Sequence, residues 1–420
     1  MRPPEAPPRL PHVIDIRAAR HDPDGFRAAL ARKDGVEAFD ELMAADARWL
    51  ELVPRVDELR AQGKPKGKPS PAELADLRAR KAELSALEEQ LARLAAERDE
   101  LLRLVPNPPD ASVPDGHTEE DALELRRVGD PPSFSFSVRD HLELGWIDME
   151  RAARVSGSRF AYRVGDVALA ELALYRLALD RVTQRGFVLV LPPVLVREQA
   201  MEGTGFLPTD EVNIYRIERD DLYLTGTSEV ALAALHTGEI LDEETLPRRY
   251  AGYSTCFRRE SGAAGKDTRG MFRVHQFDKV EMFVFCLPEG SPDEHEHLLS
   301  VEEELVQELG IPYRVVNVAA GDLGASATKK YDIEAWFPSQ ERYREITSTS
   351  NTTDFQARRL EIRCRRDKSL VPAHTLNGTA VTARALLSVM ENFQDVRGSV
   401  AVPEALQQFG APAMISASPG

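Results

Sequence analysis

Twice in the first quarter of the chain, apolar residues recur every seven positions. In the first stretch Ala38, Ala45, Leu52 and Leu59 form one row and Leu42, Trp49 and Val56 a second. In the second stretch Leu77, Leu84, Leu91 and Val105 form one row, interrupted at Arg98, and Leu87, Leu94 and Leu101 the other. Paired seams of this kind, with Glu, Arg and Lys between them, predict a coiled coil. The segment GKPKGKPSP, residues 63 to 71, must turn the chain back, so the prediction is an antiparallel two-helix arm. At roughly 33 residues its second helix is on the order of 50 Å long. Only one narrow stripe is available for burial, so the arm is expected to project and to act through its reach. A dimerising or scaffolding coiled coil has the same pattern. Pro54 removes a hydrogen bond inside the first helix and predicts a kink. The preceding DIRAARHDPDGFRAALARKD reads as one or two short helices.

VPNPPDASVPDG, residues 105 to 116, is a linker by composition, which divides the chain into residues 1–108 and 109–420. Val167 to Val182 is apolar over most of its surface and predicts a largely buried helix ended at Gly186. FVLVLPPVLV then gives a strand holding Pro192 and Pro193. The pattern changes to alternation in AGYSTCFRRESGAAGKDTRGMFRVHQFDKVEMFVF, residues 251 to 285, which predicts a long antiparallel hairpin around a glycine-containing loop. Arg258 and Glu260 share a face on the outgoing run. Arg273, His275, Phe277, Lys279 and Glu281 share one on the return, with Phe272, Val274, Val280 and Met282 opposite. Arginines, a carboxylate and a flat ring on neighbouring strands suit a ligand with phosphates, an amine and a heteroaromatic base. A solvated hairpin with cross-strand ion pairs has the same alternation. GAAGK in the loop is not a Walker loop, because Asp267 stands where Ser or Thr is needed.

Other stretches supply fewer clues. Thr227 and Glu229 fall two apart on one face of a predicted strand, DLYLTGTSEV. Ser291 and Glu294 predict a capping box, and His295 and His297 read as surface residues without a third ligand. RYREITSTSNTTDFQARRL reads as a polar strand edge with Glu345 and Thr347 on one face and Ser348 just beyond. AHTLNGTAVTARALLSVMENFQ predicts a strand, a glycine turn and a helix.

Composition narrows the class. The chain has 420 residues, 42% hydrophobic and 29% charged, which allows two or three domains and a large core. No apolar run approaches the roughly 20 residues of a membrane span, and MRPPEAPPRLPHVIDI lacks a signal peptide's apolar centre, so a cytoplasmic protein is expected. Cys256, Cys286 and Cys364 fit neither a disulfide framework nor a zinc site and read as buried thiols. The net charge of −16 argues against broad nucleic-acid binding, but Arg55 to Lys81 holds eight basic and four acidic residues. An acidic body with a basic projection leaves room for one specific polyanionic partner.

CFRRESGAAGKDTRGMFRVHQFDKVEMF closely resembles the second signature motif of class II aminoacyl-tRNA synthetases, in the version carried by seryl-tRNA synthetases. The 167–196 helix–strand–proline unit resembles the first motif, which forms the homodimer interface in that family, and 373–394 resembles the third. The N-terminal arm resembles the one with which these enzymes grip tRNA(Ser), although its tip, Gln62-Gly63-Lys64-Pro65, departs from the family's usual run. The implied fold is α+β, a coiled-coil arm followed by a class II catalytic domain on a mostly antiparallel sheet flanked by helices.

The resemblance implies an ATP-dependent serine–tRNA ligase using Mg²⁺, with tRNA(Ser), and tRNA(Sec) beside it, as acceptor. Two alternatives share the motifs: a paralogue that activates serine for a carrier protein or an antibiotic or self-resistance pathway, and a non-catalytic binding protein that keeps the fold, against which Arg258, Glu260, Phe277, Glu281 and Glu345 together speak. Arg258 is implied to bridge the α-phosphate and the serine carboxylate. For the nucleotide the resemblance adds Arg259, Glu260, Arg269, Val274, Phe277, Glu345, Ile346, Thr347, Ser348 and Arg384. Glu345 and Ser348 are implied to hold Mg²⁺, and Arg384 to neutralise the leaving pyrophosphate. Serine is implied to meet Thr227, Ser228, Glu229, Arg258, Glu281 and Thr379.

Overall fold

A computed structural model of the chain describes residues 14–62, 70–261, 270–366 and 369–417. Contacts divide it into two compact units, Met1–Pro106 and Asn107–Gly420. The first unit holds helices α1 (Ile16–His21), α2 (Pro23–Ala31), α3 (Val36–Ala61) and α4 (Pro71–Leu104). Ser70 caps α4 in a capping box with Glu73, and Pro71 occupies its first turn, where a missing N–H costs nothing. Leu42, Ala45 and Val56 of α3 are buried, as are Leu94 and Leu102 of α4. One helix runs from Val36 through Pro54 to Ala61. Arg98, the residue that interrupts the seam, is buried there. Its guanidinium lies 4.4 Å over the Trp49 ring and 3.6 Å from Asp46, which also pairs with Arg20. The turn residues 63–65 lie outside the described residues.

The second unit is built on a sheet of, among the described residues, eight strands: β1 (Leu123–Val128), β2 (Val188–Val190), β3 (Arg248–Phe257), β4 (Gln276–Cys286), β5 (Tyr313–Asn317), β6 (Lys329–Phe337), β7 (Arg342–Thr353) and β8 (His374–Thr382). Their order is β1-β5-β6-β7-β8-β4-β3-β2, antiparallel throughout except for β2 against β3. Helices α5 (Asp166–Gln184), α6 (Glu229–Ala233), α7 (Ser291–Glu308) and α8 (Ala383–Asn392) pack on it. Alternation in β4 separates two environments. Val280, Met282 and Val284 join the main core with Leu174 and Leu177 of α5, Leu298 and Leu305 of α7 and Leu386 of α8. Each such side chain contributes roughly 1.5–3 kcal/mol by leaving water. Phe277, Lys279 and Glu281 face the other way.

Several sequence expectations are corrected. The β7 stretch is not a sheet edge but lies between β6 and β8. Gly378 is no turn: β8 runs through it, and a Cβ there would meet Glu302 Oε1 at 2.8 Å and Thr349 Oγ1 at 3.0 Å. The proline-rich strand is split into Val188–Val190 and Leu195–Val196. Residues 107–113 are not a free linker, since Asn107 Nδ2 donates to the carbonyls of Ser326 and Thr352 at 2.9 Å and Val113 is buried. Ser291 and Glu294 form no capping box, because Glu294 is taken by Arg249 and Ser291 donates to Pro288 O. His295 is no surface residue. It is buried against Tyr331 and donates from Nε2 to Thr349 O at 3.0 Å, and burial pulls its pKa down to about 4. The three cysteines are free and buried.

Candidate functional site

Strand alternation, two loop segments and one helix start converge on a cavity of about 550 Å³. Lys279 and Glu281 of β4 enter it from the sheet, in contact with each other and nearly inaccessible. Asn377 and Thr379 come from β8, and Thr379 Oγ1 donates to Glu281 Oε2 at 3.4 Å.

Beside them lies Glu229, at the first turn of α6. Its Oε1 accepts from Gln356 Nε2 at 2.7 Å and from Asn377 Nδ2 at 3.0 Å, and its backbone N–H donates to Thr227 Oγ1 at 3.2 Å. Thr227 and Glu229 both line the cavity, although no strand carries them: β-structure ends at Leu224. Burial, and then the neighbouring Glu281, push the Glu229 carboxyl up to about 7.

The opposite end is rich in arginine. Arg258 follows β3 directly. Its N–H donates to His275 O at 2.9 Å and its Nε to Gly226 O at 3.1 Å, and the guanidinium stands 5.3 Å over the Phe277 ring. Glu260, at φ +51°, accepts from Arg273 Nη1 at 2.8 Å. Arg384, in the first turn of α8, donates from Nε to Phe272 O and from Nη1 to Glu345 O, both at 3.2 Å. Burial would raise the Glu345 carboxyl, but Lys330, Arg384, Arg258 and Lys279 together hold it below the usual carboxylate range.

Of the residues singled out in the sequence, Thr227, Glu229, Arg258, Glu260, Val274, Phe277, Glu281, Glu345, Ile346, Ser348, Thr379 and Arg384 line this one cavity. Three others are turned away from it. Ser228 directs its hydroxyl to Gly252 O at 3.4 Å, and Arg259 lies 5.8 Å over the Tyr215 ring. Thr347 donates to Glu302 Oε2 at 3.1 Å behind the sheet. A register shift explains Thr347: Glu334 pairs with Glu345 while Ile333 pairs with Thr347, so Ile346 is an extra residue. Glu345 and Ser348 then reach the same side, and Glu345 and Thr347 do not. His275 also leaves its predicted face. It precedes β4, and its Nδ1 donates to Arg258 O at 2.9 Å. Phe272 and Val274 line the cavity together with Arg273 for the same reason, since strand alternation begins only at Gln276. Arg269 lies outside the described residues.

Sequence reasoning missed Asn377, Lys330 and Gln356. Asn377 is two residues before Thr379 on one strand face, which was the available signal. Lys330 and Gln356 are brought in by tertiary structure alone.

The oxygens of Glu345 and Ser348 are hard donors of the kind Mg²⁺ takes. Among the described residues no three His, Cys, Asp or Glu side chains form a metal cluster. A two-residue set fits an ion that keeps water and substrate phosphate as its other ligands.

Comparison with known proteins covers most of the chain. Residues 13–109 match the seryl-tRNA synthetase N-terminal domain family, and residues 213–393 the tRNA synthetase class II core domain family (G, H, P, S and T). The chain is 51% identical over 411 residues to a serine–tRNA ligase of Acidothermus cellulolyticus, covering 94% of this chain and 98% of that one. It is 49% identical over 417 residues to the serine–tRNA ligase of Nocardia farcinica, with coverage of 94% and 98%. Among solved structures, seryl-tRNA synthetase from Pyrococcus horikoshii complexed with ATP superposes with a TM-score of 0.91 at 39% identity, over 96% of this chain and 100% of that one. The cytoplasmic serine–tRNA ligase of Naegleria fowleri in complex with AMP gives 0.86 at 33%, over 94% and 96%. Prolyl-tRNA synthetase of Giardia lamblia, at 16% identity and 0.56 over 63% of this chain and 53% of that one, shares the fold.

Proposed function

The chain belongs to the seryl-tRNA synthetase family and is an ATP-dependent serine–tRNA ligase, and from that premise we propose how its cavity divides the work. Joining serine to ATP brings a carboxylate in line with the α-phosphate, two anions that repel. Positioning and charge neutralisation therefore carry the step.

Arg258 bridges the two anions, since its planar fork can bind both, and Phe277 beneath it receives the adenine ring. Glu260 accepts from the adenine amino group and the backbone of Val274 meets the ring edge. Arg384 neutralises the departing pyrophosphate. Glu345 and Ser348 would hold Mg²⁺, which would supply further neutralisation of the phosphates when bound. Serine occupies the other end. Its ammonium faces Glu229 and Glu281, and its hydroxyl is satisfied by the Thr227, Glu229 and Thr379 group. Lys279 pairs with Glu281 at this end of the cavity. A site that hydrogen-bonds the hydroxyl rejects alanine and glycine, because buried polar groups would be left unpaired. The acceptor tRNA(Ser) is gripped by the first unit, with its basic stretch, and a cytoplasmic setting belongs to the same reading.

A homodimer through the 167–196 region is supported by its apolar exposure: Leu169, Leu172, Val188, Leu189 and Leu191 are all at least 45% exposed. Leu172→Glu combined with Val188→Glu should give monomers by light scattering, and a double variant that stays dimeric would place the interface elsewhere.

The observation that carries this reading is the meeting of Arg258, Glu345 and Arg384 with Glu229 and Glu281 in one cavity. The test is ATP–pyrophosphate exchange with serine alone, beside charging of total tRNA. Both should proceed. Exchange without charging would point to serine activation for another acceptor, and absence of both would remove the assignment.

A further inference from the structure

His141 lies outside the cavity, yet its ring joins three parts of the chain that build the nucleotide end. The side chain is 5% exposed and that of Glu391 is fully covered. Nδ1 stands 2.8 Å from Glu391 Oε1, and Nε2 stands 3.1 Å from the backbone nitrogen of Met271. An amide N–H can only donate, so Nε2 carries the lone pair and the ring proton sits on Nδ1, facing the carboxylate. Glu391 is itself fixed, accepting from His141 N at 3.3 Å and from Ser339 N at 3.2 Å. The fit is close: at Gly270, φ +90°, a Cβ would meet His141 Nε2 at 2.6 Å.

What this arrangement holds is the residue after Met271. The Phe272 carbonyl accepts from Arg384 Nε at 3.2 Å, and its ring lies 5.0 Å from the same guanidinium. Arg384 and Glu391 are both on α8, about two turns apart. One helix thus supplies the cation at its start and the anchor near its end. Through His141 the anchor fixes the carbonyl and ring that aim the cation.

We propose that His141 is a positioning residue of the nucleotide site. As the neutral Nδ1–H tautomer it ties Met271 to Glu391 and so sets Phe272 where it orients Arg384. What Arg384 is aimed at rests on the synthetase reading above; the hold on Met271 does not.

His141→Ala and His141→Gln in the full-length protein test this. Glutamine Oε1 can take the place of Nε2 and accept from Met271. Two measurements are needed: backbone hydrogen exchange of residues 271–274 in the free protein, and the KM values for ATP and serine in pyrophosphate exchange. The alanine variant should speed exchange at Met271 about tenfold and raise the KM for ATP by a similar factor, the loss of one buried hydrogen bond. Its KM for serine should stay within about twofold, since the hydrogen bond lost is at the other end of the cavity. The glutamine variant should be close to the parent in all three. Unchanged Met271 exchange in the alanine variant, equal rises in both KM values, or a glutamine variant as impaired as alanine would overturn the proposal. Where alanine prevents folding, the glutamine variant decides alone, by normal or lost Met271 protection. A parent protein that protects Met271 but catalyses no exchange strikes the synthetase reading instead.

Discussion

The Arg258 guanidinium stands 5.3 Å over the Phe277 ring while its Nε is fixed on Gly226 O at 3.1 Å. Gly226 permits this approach, since a Cβ there would sit 3.3 Å from Arg258 Cγ. The group is therefore aimed before any ligand arrives, the condition under which a cation stabilises developing charge best. Arg258→Ala should lower serine-dependent ATP–pyrophosphate exchange by about a thousandfold. Arg258→Lys keeps the charge without the fork and should still lose more than about tenfold. Near-normal exchange in the alanine variant would remove Arg258 from the centre of the reaction.

Neighbouring hydroxyls in β7 should behave differently. Ser348 lines the cavity, whereas Thr347 donates to Glu302 on the far side. Ser348→Ala should raise the Mg²⁺ concentration required for half-maximal exchange severalfold while leaving the thermal midpoint in place. Thr347→Val should leave the Mg²⁺ requirement unchanged. It strands the buried Glu302, whose carboxyl is pushed well up by burial, and should cost about 1–3 kcal/mol of stability. Equal effects of both changes on the Mg²⁺ requirement would contradict the division of the strand into two faces.

How far the sequence was legible follows from which rule governs each residue. Phe277, Lys279 and Glu281 obey strand alternation, so their common face was visible in the bare pattern. Thr347 was misplaced because one extra residue, Ile346, reverses the parity of the strand, and a bulge leaves no mark in hydrophobicity. Glu229 was placed on a strand because LYL before it has strand character, but the chain turns and a helix starts at Glu229 itself. The heptad rows place Leu42, Ala45, Val56 and Leu94 in the buried seam, but Leu102 is buried where the rows predict Leu101, and Arg98 is buried in the seam it interrupts; its partners could not be read. Asp46 and Trp49 lie about fifty residues away along the chain and only pairing of the helices selects them. His141 offered no signal, because its role comes from two contacts more than a hundred residues distant.

Separate cores in the two units predict separable functions. A chain beginning at Asn107 keeps the sheet, the cavity and every cavity residue named above. It should form seryl adenylate at a rate within a few fold of the parent, measured by pyrophosphate exchange. Charging of tRNA should fall by at least about a hundredfold, the loss expected when a major part of a phosphate-binding surface is removed. Equal loss of both activities in a folded protein would mean that the first unit serves the cavity itself and not the tRNA.

With serine placed as proposed, Glu229 should link serine binding to pH. Burial and the neighbouring Glu281 push its carboxyl up to about 7, so in the free enzyme it holds a proton below that value. The serine ammonium favours the ionised form and lowers the pKa in the complex. Binding must then expel a proton at any pH between the lowered value and about 7. Serine affinity should accordingly fall as pH drops below 7, by up to tenfold per unit, and level off above it. The sign for folding is opposite. From the ordinary value of 4.5 to about 7 the folded chain binds the proton more strongly than the unfolded chain, so this group's contribution to stability is lost as pH rises through that window. Glu229→Gln should therefore bind serine poorly yet melt at a higher temperature than the parent at pH 8. Calorimetric titration of serine at pH 6.5, in two buffers of different ionisation enthalpy, reads the expelled proton directly. A heat independent of buffer, together with constant affinity between pH 6 and 8, would show that Glu229 is ionised throughout and that another group meets the ammonium.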